Sequence, residues 1–271
     1  MSTPGARFSP RGAVAVVTGG ASGIGQALAQ RLAAEGAKAV VVADLDGAGA
    51  EAVAAALPGT VGVALPLDVG DPVRVRSAAE RVEAEAGPID VWCSNAGIAA
   101  GRGLGEDDDW DVSWRLHVLA HVYAARTVLP RMVARGRGHL MVTASAAGLL
   151  SEMDSAPYTV SKHGSVALAE WLAIRYGDTG VGFSCLCPQG VRTPLLAAAG
   201  PGSATLAAGD VLEPADVAEA VVAAWAEGRF LILPHPEVAD YEARRAADRD
   251  RWLAGMRRVR ARLAQAPIWP A

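Results

Sequence analysis

The sequence Thr18-Gly19-Gly20-Ala21-Ser22-Gly23-Ile24-Gly25 follows directly on the apolar run Ala13–Val17 and opens a segment of helical periodicity. Between a strand and a helix, such glycines make a tight turn and let backbone approach a pyrophosphate. The helix N-terminus then offers free N–H groups and positive dipole to the phosphates. Asp44 ends the next apolar run, about twenty residues on, where an acid accepts hydrogen bonds from an adenosine ribose; a helix N-cap is the other use of an aspartate there. Asp68 ends the third run, where a carboxylate meets an adenine amino group or closes an ordinary turn. Tyr158 and Lys162 are four apart in a helix-sized segment, so both side chains leave one face. A phenol near pKa 10 is a poor base at neutral pH, and bringing it down takes about 4 kcal/mol. One ammonium about 4 Å away supplies roughly that much at an effective dielectric near 20. By itself, a tyrosine and a lysine at this spacing are a common pair.

The elements that must position these residues are short apolar runs alternating with longer helical patterns. The runs are Ala13–Val17, Lys38–Ala43, Val61–Leu67, Ile89–Cys93, His139–Ala144, Val181–Cys187 and Phe230–Leu233. Most lack polar alternation, as strands buried on both faces of a parallel sheet do. Between them, Ile24–Glu35, Ala48–Leu57, a segment capped by Asp71-Pro72, Trp110–Arg135 and Pro157–Tyr176 read as helices. This order predicts an α/β fold: a Rossmann-type, doubly wound parallel sheet of about seven strands with helices on both faces. No repeat or composition break divides residues 1–271, which read as one domain. Residues 1–12 read as a flexible tail. Residues 236–265 read as one long Arg-rich helix, a C-terminal helical extension that is either a solvated face laced with i,i+4 ion pairs, a subunit contact or a lid.

Composition narrows the function classes. Of 271 residues, 51% are hydrophobic and 20% charged, ample for a core and too apolar for disorder. The net charge of −4 and 5% aromatics give no basic patch or stacking platform for nucleic acid. The three cysteines, Cys93, Cys185 and Cys187, all fall in strand-like runs and read as core thiols. No apolar span suits a membrane and the N-terminus has no h-region, so a cytoplasmic protein is expected.

Further motifs keep order with the first. Ser94-Asn95-Ala96-Gly97 follows the fourth strand, Ser145 precedes Tyr158 by thirteen residues, and Pro188-Gln189-Gly190 follows the sixth strand. With these, the chain resembles the short-chain dehydrogenase/reductase family in its compact single-domain branch, from about Ala13 to Leu233. The resemblance implies an oxidoreductase that moves a hydride between NAD and a secondary alcohol or ketone. Tyr158 then resembles the acid/base. Lys162 resembles the residue that lowers its pKa, helped by a cationic nicotinamide, and that holds the nicotinamide ribose. Ser145 resembles the hydroxyl that orients the substrate. Gly19, Ser22 and Ile24 match the pyrophosphate turn, Asp44 the ribose acid, and Asp68 and Val69 the adenine side. Asn95, Ala96 and Gly97 match the motif supporting the adenine ribose, and Pro188, Val191 and Thr193 the segment seating the carboxamide. Neutral Leu45 and Ser22, with Asp44 and Asp46, imply NAD over NADP.

One position departs from the family pattern. His117 stands where the family usually carries an asparagine that holds a water of the proton relay, and it is expected either to join that path or simply to fill space. His117 and His121 are four apart but lack a third ligand, so no metal is expected. A hydrophobic small-molecule substrate is expected from Ala147, Leu149, Leu150, Met153, Gln189 and the segment 195–212, within which 197–209 could be a mobile lid. No arginine in those stretches is placed to clamp a carboxylate. The family also implies a homo-oligomer, a tetramer or dimer. A catalytically idle NAD-binding sensor or scaffold is the rival reading.

Overall fold

A computed structural model describes residues 7–199 and 210–265. Seven strands form one sheet: β1 (Val14–Thr18), β2 (Ala39–Asp44), β3 (Val61–Pro66), β4 (Val91–Ser94), β5 (Gly138–Thr143), β6 (Val181–Leu186) and β7 (Leu231–Ile232). All pairings are parallel and the order is β3-β2-β1-β4-β5-β6-β7. The direction of winding reverses between β1 and β4, so their C-terminal ends open a crevice there. The runs of valine and alanine explain the sheet: β1 and β5 are buried along their whole length because helices cover both faces. The edge strand β3 departs from this, with Val61 exposed.

The flanking helices are α1 (Gly23–Ala34), α2 (Gly47–Ala55), α3 (Pro72–Glu85), α4 (Asp107–Trp114), α5 (Ala120–Arg135), α6 (Ala156–Tyr176), α7 (Pro194–Ala199), α8 (Pro214–Glu227), α9 (Glu237–Ala247) and α10 (Arg249–Gln265). Asp71 caps α3, accepting from the N–H groups of Val73 and Arg74, with Pro72 at the first helical position. Asp90, at the mouth of β4, is buried. It accepts from the N–H of Val14 at 3.1 Å and from Arg137 at 2.6 and 3.1 Å, tying β1, β4 and β5 together.

Three expectations change. The helix expected over Trp110–Arg135 starts earlier, on a capping box between Glu106 and Asp109, and is interrupted by a wide π-turn at Arg115–Leu119. The single C-terminal helix is two: Asp248 leaves helical geometry and its Oδ1 accepts from the N–H of Arg251, restarting the chain as α10. Part of the supposed flexible tail is docked. The Phe8 N–H donates to the Trp225 carbonyl at 3.0 Å, and its ring packs on Trp225 and His139. Most of the lid candidate 197–209, together with residues 1–6 and 266–271, lies outside the described residues. Among the described residues, no helix is long and apolar enough to cross a membrane.

Candidate active site

The crevice between the β1 and β4 ends continues into a cleft of about 1300 Å³ that the C-terminal ends of strands β1 to β6 share. At its β1 end the glycine turn is dictated by contact. Gly19 has φ +67°, and a Cβ there would meet Ala96 Cα at 2.9 Å. A Cβ on Gly25 would collide with the Gly19 carbonyl. Ser22 and Ile24 line the cleft beside them. No side chain caps α1 and no acid stands in its first turn, so its N–H groups face the cleft ready for an anion. This is a cradle that side chains would fill and a phosphate pair fits.

Asp44 stands on the far side of that turn. Its Oδ2 accepts from the Ala21 N–H and its Oδ1 from the Asp46 N–H, both at 3.0 Å, so the carboxylate is fixed at the cleft wall. The helix cap is Asp46 instead, accepting from Gly49. Asp68 and Val69 line the same wall, with Asp68 Oδ1 accepting from the Gly70 N–H at 2.8 Å. Asn95 works through the sheet. Its Nδ2 donates to the Thr18 carbonyl at 3.0 Å, and the N–H groups of Asn95 and Ala96 donate to Thr18 Oγ1. These bonds clip the β4 end to the β1 end and shape the crevice with Gly97. Pro188, Val191 and Thr193 line the cleft after β6, and Thr193 packs where a Cβ on Gly23 would go.

Tyr158, Lys162 and Ser145 meet at the centre of the cleft. Ser155 caps α6 by accepting from the Tyr158 N–H at 3.2 Å, which sets the register of the helix face. Ser145 ends the β5 run and its Oγ accepts from the Ala147 N–H at 3.1 Å. The neighbouring Ser145 hydroxyl pulls the Tyr158 pKa down. Burial wins, and the phenol is pushed up to about 12. Lys162 is buried, its Nζ donates to the Thr143 carbonyl at 3.0 Å, and burial lowers it to about 8. Its Nζ is 5.7 Å from the Tyr158 ring centroid. Among the protein's own groups burial is the largest influence on the phenol; the expected lowering by Lys162 also counts on a cationic nicotinamide.

His117 lies beneath these residues, fully buried, at the π-turn. Its ring meets that of Tyr158 edge-on at 5.4 Å. Its Nε2 accepts from the Ile98 N–H at 3.2 Å, so the proton sits on Nδ1, which donates to Ser161 Oγ at 2.8 Å. Ser161 donates in turn to the Tyr158 carbonyl. The Ser165 hydroxyl donates to the His117 carbonyl at 2.6 Å, pinning the widened turn to α6. Burial, then the Lys162 ammonium, holds the imidazole well below its ordinary range. His117 is thus a neutral ring with both nitrogens engaged. His121 does not join it; its Nδ1 pairs with Ser94 Oγ at 2.6 Å, and burial lowers it to about 3.

At the other end of the cleft the lid reading of the C-terminal extension meets the structure. Ala147, Leu150, Met153 and Gln189 line it as expected, while Leu149 turns into the core. Its remaining wall comes from α9 and α10, through Tyr241, Arg244, Trp252, Met256, Val259 and Arg262. The apolar spacing of Trp252, Met256 and Val259 was the available signal. Arg245 ties α9 to α6, reaching His163 Nε2 at 3.4 Å.

The model of the family described as short chain dehydrogenase matches residues 13–204. A 1-deoxy-11-beta-hydroxypentalenate dehydrogenase of Streptomyces exfoliatus is 40% identical over 192 residues, 67% of this chain and 68% of that protein. A D-threitol dehydrogenase of Mycolicibacterium smegmatis is 36% identical, covering 69% of this chain and 74% of the relative. The solved structure of a short chain dehydrogenase/reductase from Burkholderia phymatum in complex with NAD superposes with a TM-score of 0.80 at 31% identity, over 90% of this chain and 96% of that one. A glycine turn at a helix N-terminus, a fixed carboxylate at the end of β2 and a Tyr–Lys–Ser cluster in one cleft agree with these likenesses: the chain belongs to the short-chain dehydrogenase/reductase family, oxidoreductases that move a hydride between a nicotinamide dinucleotide and an alcohol or ketone.

Proposed function

We propose that this enzyme interconverts a hydrophobic secondary alcohol and its ketone with NAD, using Tyr158 as acid/base. The observation that carries the reading is that Tyr158, Ser145, the Lys162 ammonium and the glycine turn line one cleft. At neutral pH the protein's own groups keep the phenol protonated, the form that gives a proton to a ketone oxygen. When bound, oxidised nicotinamide supplies the hydride-accepting ring and a positive charge. In the oxidative direction Tyr158 takes the alcohol proton, Ser145 donates to the substrate oxygen, and Lys162, mostly charged at pH 7, favours the phenolate. His117 orients this pair from below through Ser161.

The apolar wall of Ala147, Leu150, Met153, Trp252, Met256 and Val259 supports a hydrophobic substrate. The fixed Asp44 carboxylate supports NAD, since it would repel a 2′-phosphate and pair with free hydroxyls. Helices packed on both faces of one sheet support reading the chain as one domain. The test is a panel of secondary alcohols with absorbance detection of NADH, run on the native chain and on Tyr158→Phe. The variant is expected to lose more than about a hundredfold in kcat and to keep NAD binding. No turnover of any alcohol would favour the idle sensor, and a Tyr158→Phe enzyme with near-native kcat would remove Tyr158 from the chemistry.

A further inference from the structure

The α10 helix carries an unusual charge pattern. From Arg251 to Gln265 it holds five arginines, at 251, 257, 258, 260 and 262, and no acid. Like charges four apart on one helix repel. The i,i+4 pairs that would make this a solvated ion-pair face do not form. Among the described residues, no ion pair involves any arginine from 244 to 262. The two acids just before this stretch are Asp250, in the first turn of α10, and Asp248, which caps α10 through the Arg251 N–H at 2.9 Å.

Two of the arginines are aimed. Arg244 of α9 and Arg262 of α10 line the substrate end of the active-site cleft. They also line a smaller hollow of about 370 Å³ between the two helices, which Arg251, Arg258 and the α10 cap Asp248 share. Trp252, Met256 and Val259 form the apolar wall common to both spaces. The other charged residues at that end, Arg102, Glu152 and Asp154, are each engaged within the chain. Arg192 is paired with Glu213 at 2.6 Å. A ligand reaching from Tyr158 along the apolar wall therefore ends against two guanidinium groups that form no ion pair, Arg244 lying over the Tyr241 ring at 5.9 Å, a geometry suited to an anion.

Building on the proposed alcohol–ketone chemistry, we propose that Arg244 and Arg262 select substrates whose apolar body ends in a carboxylate remote from the reacting carbon. The clamp comes from the C-terminal helices, outside the stretches after β5 and β6 in which no arginine was expected to hold a carboxylate.

The test uses the full chain saturated with NAD. Decanoate and decanamide are matched apolar probes that differ in charge and lack a secondary hydroxyl. Each is titrated as an inhibitor of the best neutral alcohol from the panel, and its binding is measured in parallel by calorimetry. Decanoate is expected to bind at least about tenfold more tightly than decanamide, a modest preference consistent with partly exposed pairs. The Arg244→Gln/Arg262→Gln variant should bring that ratio close to one, while Arg260→Gln, outside both spaces, should leave it. Near-equal affinities in the native chain, or a ratio untouched by the double substitution, would overturn the proposal. Should no alcohol turn over, the reaction assignment fails, and the calorimetric ratio still decides the arginines.

Discussion

Lys162 is expected to destabilise the fold it serves. Burial lowers its pKa from 10.5 to about 8. At about 1.4 kcal/mol for each tenfold change in proton affinity, keeping it charged at pH 7 costs about 3 kcal/mol. Replacement by methionine keeps most of the stem volume and removes the charge. It also removes the bond from Nζ to the Thr143 carbonyl, worth about 1 kcal/mol. Lys162→Met should thus be more stable than the native chain by about 1–2 kcal/mol at pH 7, while losing turnover. The sign of the pH dependence follows from proton counts. Between pH 8 and 10.5 the unfolded lysine is still protonated when the folded one is not, so native stability rises with pH in that window. From pH 7.5 to 9.5 the native chain should recover about 2 kcal/mol relative to the variant. Urea denaturation without added NAD, which would otherwise stabilise the fold by mass action, measures both quantities. A variant less stable than the native chain at pH 7, with parallel pH profiles for the two, would refute the desolvation argument.

Other outcomes follow from neighbouring groups. On one substrate, kcat/KM with NAD should exceed that with NADP by about a hundredfold, and Asp44→Ala should narrow the gap; equal values in the native chain would remove Asp44 from cofactor selection. Because the His117 imidazole is held neutral, the pH–rate profile between 5 and 8 should show no limb that His117→Asn abolishes, although kcat should fall as Tyr158 loses its support; loss of such a limb in the variant would restore His117 to the proton path. Asp90→Ala leaves the Val14 N–H and Arg137 without their acceptor and should lower stability by about 3 kcal/mol in urea, and Arg137→Ala, which leaves the buried Asp90 Oδ1 without its partner, should lower it too; native-like stability in both would refute the tie.

Local chemistry was readable along the chain. The glycine turn, Asp71-Pro72 and the Tyr158–Lys162 spacing are each set by backbone sterics, capping or helix geometry within a few residues, and all stand where periodicity put them. Family spacing added Ser145 and Asn95, but not what Asn95 does: its partner Thr18 is 77 residues away, and only the adjacency of β1 and β4 joins them. The break at Asp248 had a local signal, an aspartate three residues before Arg251, yet an unbroken charge pattern hid it. The electrostatics were beyond reach of any spacing rule. Whether a lysine lowers a tyrosine's pKa depends on how much water each has lost. That loss is decided by α6 burying Lys162 against β5, a contact between segments with no shared local signal. The same holds for Arg244 and Arg262, whose types were evident in the sequence but whose aim depended on where α9 and α10 pack across the cleft.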